Sequence, residues 1–279
     1  MSDNWVVRTL QNALNGWNDK LTEIWALLTQ SPQEFRGGAV WDEIVKINDG
    51  LTAIGYGLLV LFFAMSVCAT TINFRELQRP EHALKYFIRF ALAKAAVGRC
   101  MELMTAVFTI CGGIVQKIMS SIGDMATTSV TLPDEISTAI EGAGLLASIP
   151  LWLVGFIGGL FITVMSFILI MTVYGRFFRI YLMTALAPIP LSTFGGETTS
   201  ATGKAFCKAY IGVCLEGAVV VLACLIFTAF AGSSTPAVDG SAPAVTMVWG
   251  YIAETIFNML ILVGLVKGAD RVVKEMFGL

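Results

Sequence analysis

The sequence predicts an all-α integral membrane protein with about five transmembrane helices, an N-terminal amphipathic helix and one re-entrant or interfacial segment. Three observations predict it. Of 279 residues, 56% are hydrophobic and only 14% charged, with a mean hydropathy of +0.75, outside the usual range of soluble domains. Several apolar runs are long enough, at about 1.5 Å rise per residue, to cross a hydrocarbon layer of about 30 Å. The charges gather between those runs instead of forming an even shell.

Residues 1–30 carry an apolar stripe at helical period, Leu10, Leu14, Trp17, Leu21, Ile24, Trp25 and Leu28, with Asp19, Lys20 and Glu23 between. This pattern predicts an amphipathic helix, not a span, ending at the Gly37-Gly38 break. Its tryptophans suit either a headgroup-level or subunit-facing position, or a helix folded back on its own bundle. No apolar core flanked by a basic start and a small-residue cleavage site occurs in residues 1–50, so no signal peptide is expected. That region is read as extracytoplasmic.

The first span is expected over residues 51–74. A basic segment follows with Arg75, Arg79, Lys85, Arg89, Lys94 and Arg99, and Pro80 starts a helix expected to run unbroken into a second span near residues 90–119. Residues 51–119 form one block, and 120–144, with Asp124, Asp134, Glu135 and Glu141, an extracytoplasmic loop. The third span covers residues 145–174 and holds Gly155, Gly158 and Gly159, small residues that permit close helix approach. Residues 177–194 are apolar but carry Arg179 and the Ala187-Pro188-Ile189-Pro190 break. Arg176 and Arg179 stand at the start of its apolar part and Lys204 and Lys208 follow it, so it is expected to be re-entrant or interfacial rather than to cross. The fourth and fifth spans fall near 210–231 and 245–266, and residues 145–279 form the membrane core.

Segments 75–99, 176–208 and 267–279 hold 13 basic and five acidic residues, whereas 1–50, 117–144 and 232–244 hold five basic and 12 acidic. The positive-inside bias then places the N-terminus outside and the C-terminus in the cytoplasm. The six cysteines lie in or beside apolar runs and are read as small buried thiols, and His82 has no partner at ligand spacing, so neither metal nor cofactor is expected. Phosphate loops, nucleophile elbows and zinc-protease motifs are absent, so the chain is not expected to be an enzyme.

Ionisable groups inside spans are costly and mark candidate functional positions. Glu102 is such a group, with a structural pair to Arg99 as the bland reading. Glu216 is a second, for which an interfacial position two turns from Lys208 is the alternative. Glu254, one turn from Asn258, is the strongest candidate for an inter-helix or inter-subunit contact. The basic residues from Lys85 to Arg99 spread around their helix and suit snorkelling to anionic lipid headgroups.

The string TVYGRFFRIYLMTALAPIPLSTFGGE, with Tyr174, Gly175, Arg176, Ile180, Tyr181, Thr184 and the run Ala187 to Pro190, resembles the TrbL-like family of polytopic inner-membrane subunits of type IV secretion and conjugation machines. The resemblance is closest to the form on Gram-positive conjugative elements, and a looser likeness continues to Ala231 and through Lys267 to Leu279. Related chains carry glutamine then glycine where this one has Glu216 and Gly217. The resemblance implies a homo-oligomeric membrane component in the cytoplasmic membrane. Its partners would be an assembly ATPase and pilin-like and extracytoplasmic subunits, with transient contact to a relaxase or single-stranded DNA. It also draws attention to Arg176, Arg179, Tyr181, Pro188 and Pro190. A self-contained solute or ion channel lined by Glu102 and Glu254 is the competing reading.

Overall fold

The fold is given by a computed structural model that describes residues 4–71, 80–120, 129–143, 145–233 and 243–279. Expectations resting on Arg75, Arg79, Asp124, Asp239 and the side chain of His82 fall outside that description. No strand occurs among the described residues, and five helical stretches are long and apolar enough to cross a membrane: Phe35–Ala69, Cys100–Ser120, Ile149–Leu186, Ser200–Phe230 and Ala244–Phe277. The chain is an all-α, multi-pass membrane protein.

Helix α1 spans Trp5–Thr29 and buries Leu10, Leu14, Trp17, Ile24 and Leu28 of its stripe. It ends before the two glycines. Gly37 and Gly38, with φ of 76° and 81°, instead shape the turn Phe35–Gly38 that launches α2, Ala39–Thr71. Helix α2 therefore starts twelve residues ahead of the predicted span. Trp41, Ile44, Val45 and Asn48 share one inward face at helical spacing, and that face extends the helix past its purely apolar part.

The second span is reached through α3, Pro80–Gly98, and α4, Cys100–Ser120. Their joint at Arg99 keeps its backbone bonding, since Arg99 N–H donates to Ala95 O and Leu103 N–H to Arg99 O, both at 3.0 Å. Beside the joint, the Tyr56 hydroxyl occupies the space a side chain on Gly98 would need. The acidic loop contains a short helix α5, Asp134–Glu141, whose first-turn Asp134 and Glu135 favour the positive end of its dipole.

Helix α6 is a single 42-residue element, Leu145–Leu186. Residues 177–186, expected from the sequence to open a separate re-entrant segment, are its last turns. Beyond it Ala187 keeps helical dihedrals, and the chain runs through α7, Pro188–Ser192, and the turn Thr193–Gly195, turns extended at Gly196 and enters α8, Ser200–Ser233. Helix α9, Ala244–Phe277, completes the set.

The chain divides into two compact units, residues 1–29, 115–174 and 218–269, and residues 30–114, 175–217 and 270–279. In the first, α1 lies alongside α6 in the same direction. A side chain on Gly155 would sit 2.8 Å from Val6 Cγ1, one on Gly159 3.7 Å from Ala13, and Tyr174 donates its hydroxyl proton to Glu23 Oε1 at 2.9 Å. Gly158 does the same service for α9, with Ile252 2.6 Å from a Cβ placed there. Of the two positions open to the amphipathic helix, the observed one is the helix folded back on its own bundle. Its core mixes Val6, Val7 and Leu10 with Ile136 and Ile140 of α5, Leu151 of α6 and Ile252 of α9.

The second unit packs Cys100, Met104 and Phe108 of α4 against Ile180, Leu191 and Tyr210. Gly55 of α2 lets the α7 backbone in, since a Cβ there would lie 3.0 Å from Pro188 O. The six thiols are free, but Cys68 is exposed and Cys207 half-buried, contrary to the expectation that all are buried.

Candidate functional site: a buried charge node

The second unit collects charge where α6, α8 and α9 meet. Arg176 and Arg179 stand one turn apart on α6, Glu216 lies on α8 and Asp270 on α9. Arg179 holds both acids, with Nη2 2.6 Å from Glu216 Oε1 and Nη1 2.7 Å from Asp270 Oδ1. Lys274, one turn beyond Asp270, pairs with its other oxygen at 2.8 Å. One guanidinium thus ties three helices, which suits an apolar setting where burial alone gives helices little reason to associate.

Arg176 is the more deeply placed arginine, 2% exposed. Its Nη2 donates to Cys214 O at 3.1 Å and its Nε to Val213 O at 3.4 Å, and its guanidinium lies 5.7 Å from the Phe108 ring and 5.8 Å from the Phe177 ring. Gly217 makes the room. A Cβ at that position would stand 2.5–2.7 Å from the guanidinium atoms. Glutamate 216 and glycine 217 therefore have distinct tasks, one as acceptor for Arg179 and one as space for Arg176. Arg176 Nη1 and Glu216 Oε2 are buried with no hydrogen-bond partner among the described residues, which makes the node expensive unless the remaining contacts hold it together.

A collar of neutral hydrogen bonds continues along α6. Pro188 has no N–H to give to Thr184 O, its partner four residues back in a regular helix. The buried Asn48 of α2 fills the vacancy, its Nδ2 donating to Thr184 O at 2.7 Å. Thr184 Oγ1 donates to the Tyr210 hydroxyl at 3.3 Å, and Tyr210 donates to Met104 O at 3.1 Å. Tyr181 donates to Pro32 O at 2.7 Å. Pro190 sits in α7, where its carbonyl accepts from Thr193 Oγ1 at 2.7 Å.

The structure thus brings Arg176, Arg179 and Glu216 together and sets Tyr181, Pro188 and Pro190 further along the same unit. Glu216 does not turn to Lys208; its partner comes from another helix. Glu102 is separate from the node. No ion pair joins it to Arg99 among the described residues, and it borders an open groove of about 650 Å³ with Gln33, Trp41, Val45 and Thr105. Glu254 is half-buried on α9 in the first unit, where no hydrogen bond or ion pair reaches it among the described residues. In the basic segment, Arg89 reaches Glu197 at 3.8 Å, with Tyr86 hydroxyl 3.3 Å from the same oxygen.

Sequence reasoning missed Asn48, Asp270, Phe108 and the function of Gly217. For Asn48 a signal existed: a proline at 188 leaves a carbonyl at 184 in need of a donor, and Asn48 is a polar residue on the inward face of a helix. Asp270 and Phe108 carried none.

A multi-pass helical membrane protein whose long helices are pinned by a half-buried ion-pair node is the class that the fold and site define. The chain belongs to the TrbL/VirB6 plasmid conjugal transfer-like family, whose model matches residues 17–188, more than half of it. That membership puts it among type IV secretion and conjugal transfer subunits. The match begins inside α1 and ends at Pro188, so it includes Arg176, Arg179, Tyr181 and Pro188, and of the string that carries the resemblance it covers Thr172 to Pro188. No curated protein and no solved structure matches the chain.

Proposed function

We propose that the protein is a non-enzymatic, path-forming subunit of a conjugative type IV secretion machine in the cytoplasmic membrane. It acts as a homo-oligomer with its C-terminus in the cytoplasm and the start of α1 outside. It helps pass relaxase-bound single-stranded DNA or protein, and energy comes from an assembly ATPase. Pilin-like and extracytoplasmic subunits complete the assembly. The observation that carries this reading is the family match over residues 17–188. Its arginines supply half of the charge node, while Glu216, Gly217 and Asp270 complete it from outside the matched stretch.

The charge distribution supports the orientation, because segments 176–208 and 267–279 are rich in lysine and arginine whereas 232–244 holds none. The node supports a structural role, since charges already engaged with one another hold helices in register. The test is a deletion strain complemented with wild-type or Arg176→Ala protein at matched membrane levels. Transfer restored by wild type and lost with Arg176→Ala, with the assembly ATPase recovered alongside wild-type protein in mild detergent, is the expected result. Unimpaired transfer in the deletion strain, or ion flux by the purified protein alone in liposomes, contradicts it.

A further inference from the structure

Arg176 is short of a negative charge. The node holds three cations, Arg176, Arg179 and Lys274, against two carboxylates, Glu216 and Asp270. Arg179 and Lys274 engage both carboxylates. The buried Arg176 is left with the carbonyls of Val213 and Cys214, two aromatic rings, and an Nη1 that no group engages among the described residues. A buried guanidinium without an anion of its own is costly.

Two thiols lie beside it. Cys111 of α4 and Cys214 of α8 are 4% and 0% exposed, belong to one apolar cluster and are within hydrogen-bonding reach of each other. Arg176 meets both helices at this point. Its Nη2 donates to the Cys214 carbonyl at 3.1 Å, and its guanidinium lies 5.7 Å from the ring of Phe108, one turn before Cys111. Both thiols interact electrostatically with that guanidinium. No third histidine, cysteine, aspartate or glutamate joins the pair in a metal-sized group among the described residues. The two thiols are therefore dry, held from two helices and faced by a cation.

We propose that Cys111 and Cys214 form a two-coordinate site for a soft monovalent metal ion of the copper(I) type, with Arg176 as its counter-charge. Both thiols release their protons to solvent as the two metal–sulfur bonds form, so the bis-thiolate complex of a monovalent ion carries one negative charge. One guanidinium cancels it. A divalent ion gives a neutral complex that leaves Arg176 as it was, and zinc also asks for four ligands where this pair supplies two. Thiolates favour copper(I) for their softness as well. Metal–thiolate bonds of about 2.3 Å put the sulfurs of a linear S–M–S unit about 4.6 Å apart, which two thiols in mutual reach meet through small side-chain rotations. A disulfide is the competing fate of such a pair, but it is uncharged, needs an oxidant and supplies Arg176 with no anion. The metal bridge ties α4 to α8 within the second unit and is independent of the transfer reading.

The experiment uses the full-length protein purified in mild detergent under anaerobic, reducing conditions. Copper(I) is added, and the protein is then separated from excess metal in the presence of the chelator bicinchoninate. Wild type should retain one copper ion per chain, with two protons released per ion and two sulfur neighbours, without nitrogen or oxygen, in X-ray absorption. Cys111→Ser and Cys214→Ser, each checked for folding by circular dichroism, should retain several-fold less copper, whereas Cys68→Ser and Cys207→Ser should keep all of it. A second readout separates loss of the site from loss of the fold. An ion that bridges α4 and α8 only in the folded chain stabilises it, so copper(I) should raise the melting temperature of wild type and leave that of both serine variants at 111 and 214 unchanged. Failure of wild type to retain copper, retention by both of those variants, or a third sulfur neighbour would each overturn the proposal.

Discussion

The two units solve helix association in different ways. In the first, contact between α1, α6 and α9 is made by shape: glycines at 155, 158 and 159 admit Val6, Ile252 and Ala13 closely. In the second, the joints are polar: Arg179 between Glu216 and Asp270, Arg176 on the α8 carbonyls, and Asn48 on Thr184 O. Small residues and polar bonds are the two means available where lipid is as apolar as leucine. The difference between them is tolerance. A shape-based joint loses packing gradually as a side chain grows, whereas a buried charge left without its partner is costly at once.

That contrast sets an order of effects. Arg176→Ala and Gly217→Leu should be the most damaging, about 3–5 kcal/mol, because one removes a buried guanidinium and the other drives it from its recess. The folded fraction remaining after heating in detergent should fall sharply for both. Next comes Asn48→Leu, which leaves Thr184 O with only the 3.4 Å bond from Ala187 N–H. A loss of about 1–3 kcal/mol is expected, and Asn48→Gln should not restore it if the short amide reach matters. Gly158→Leu should cost about 1–3 kcal/mol by crowding Ile252, read by the same thermal assay, and pairing it with Ile252→Ala should recover part of that loss. Gly175→Ala is the mildest. Nothing lies within 4 Å of a Cβ there, so the helix should gain about 0.5–1 kcal/mol. If Gly175→Ala abolished transfer in a folded protein, that open side would be a partner's seat.

Much of the architecture was legible in the sequence because hydropathy and period report it directly. Five apolar stretches, the amphipathic start and the glycine-mediated approach on the third span follow from residue type and spacing. The boundaries were less legible. Flanking charges and the Ala187–Pro190 break mark residues 177–194 as a separate segment in the sequence, yet Arg176 and Arg179 are engaged inside the protein and the helix continues through them to Leu186. Side-chain partners were the least legible. Glu102 and Arg99 have suitable spacing and do not pair, whereas Glu216 finds Arg179 on a different helix. Local spacing describes neighbours on one helix only; partners separated by 37 and 91 residues depend on how α6, α8 and α9 pack.

The ion-pair node is the central structural claim, and a double-mutant cycle on Arg179 and Glu216 tests it most directly. Thermal stability in detergent is measured for Arg179→Met, Glu216→Met and the combination. The account predicts that Arg179→Met alone is more damaging than the two changes together, since it strands the buried Glu216 carboxylate that the double change removes, whereas Glu216→Met leaves Arg179 on Asp270 and is the milder single change. Strictly additive losses would contradict it, because side chains that do not interact cannot rescue one another.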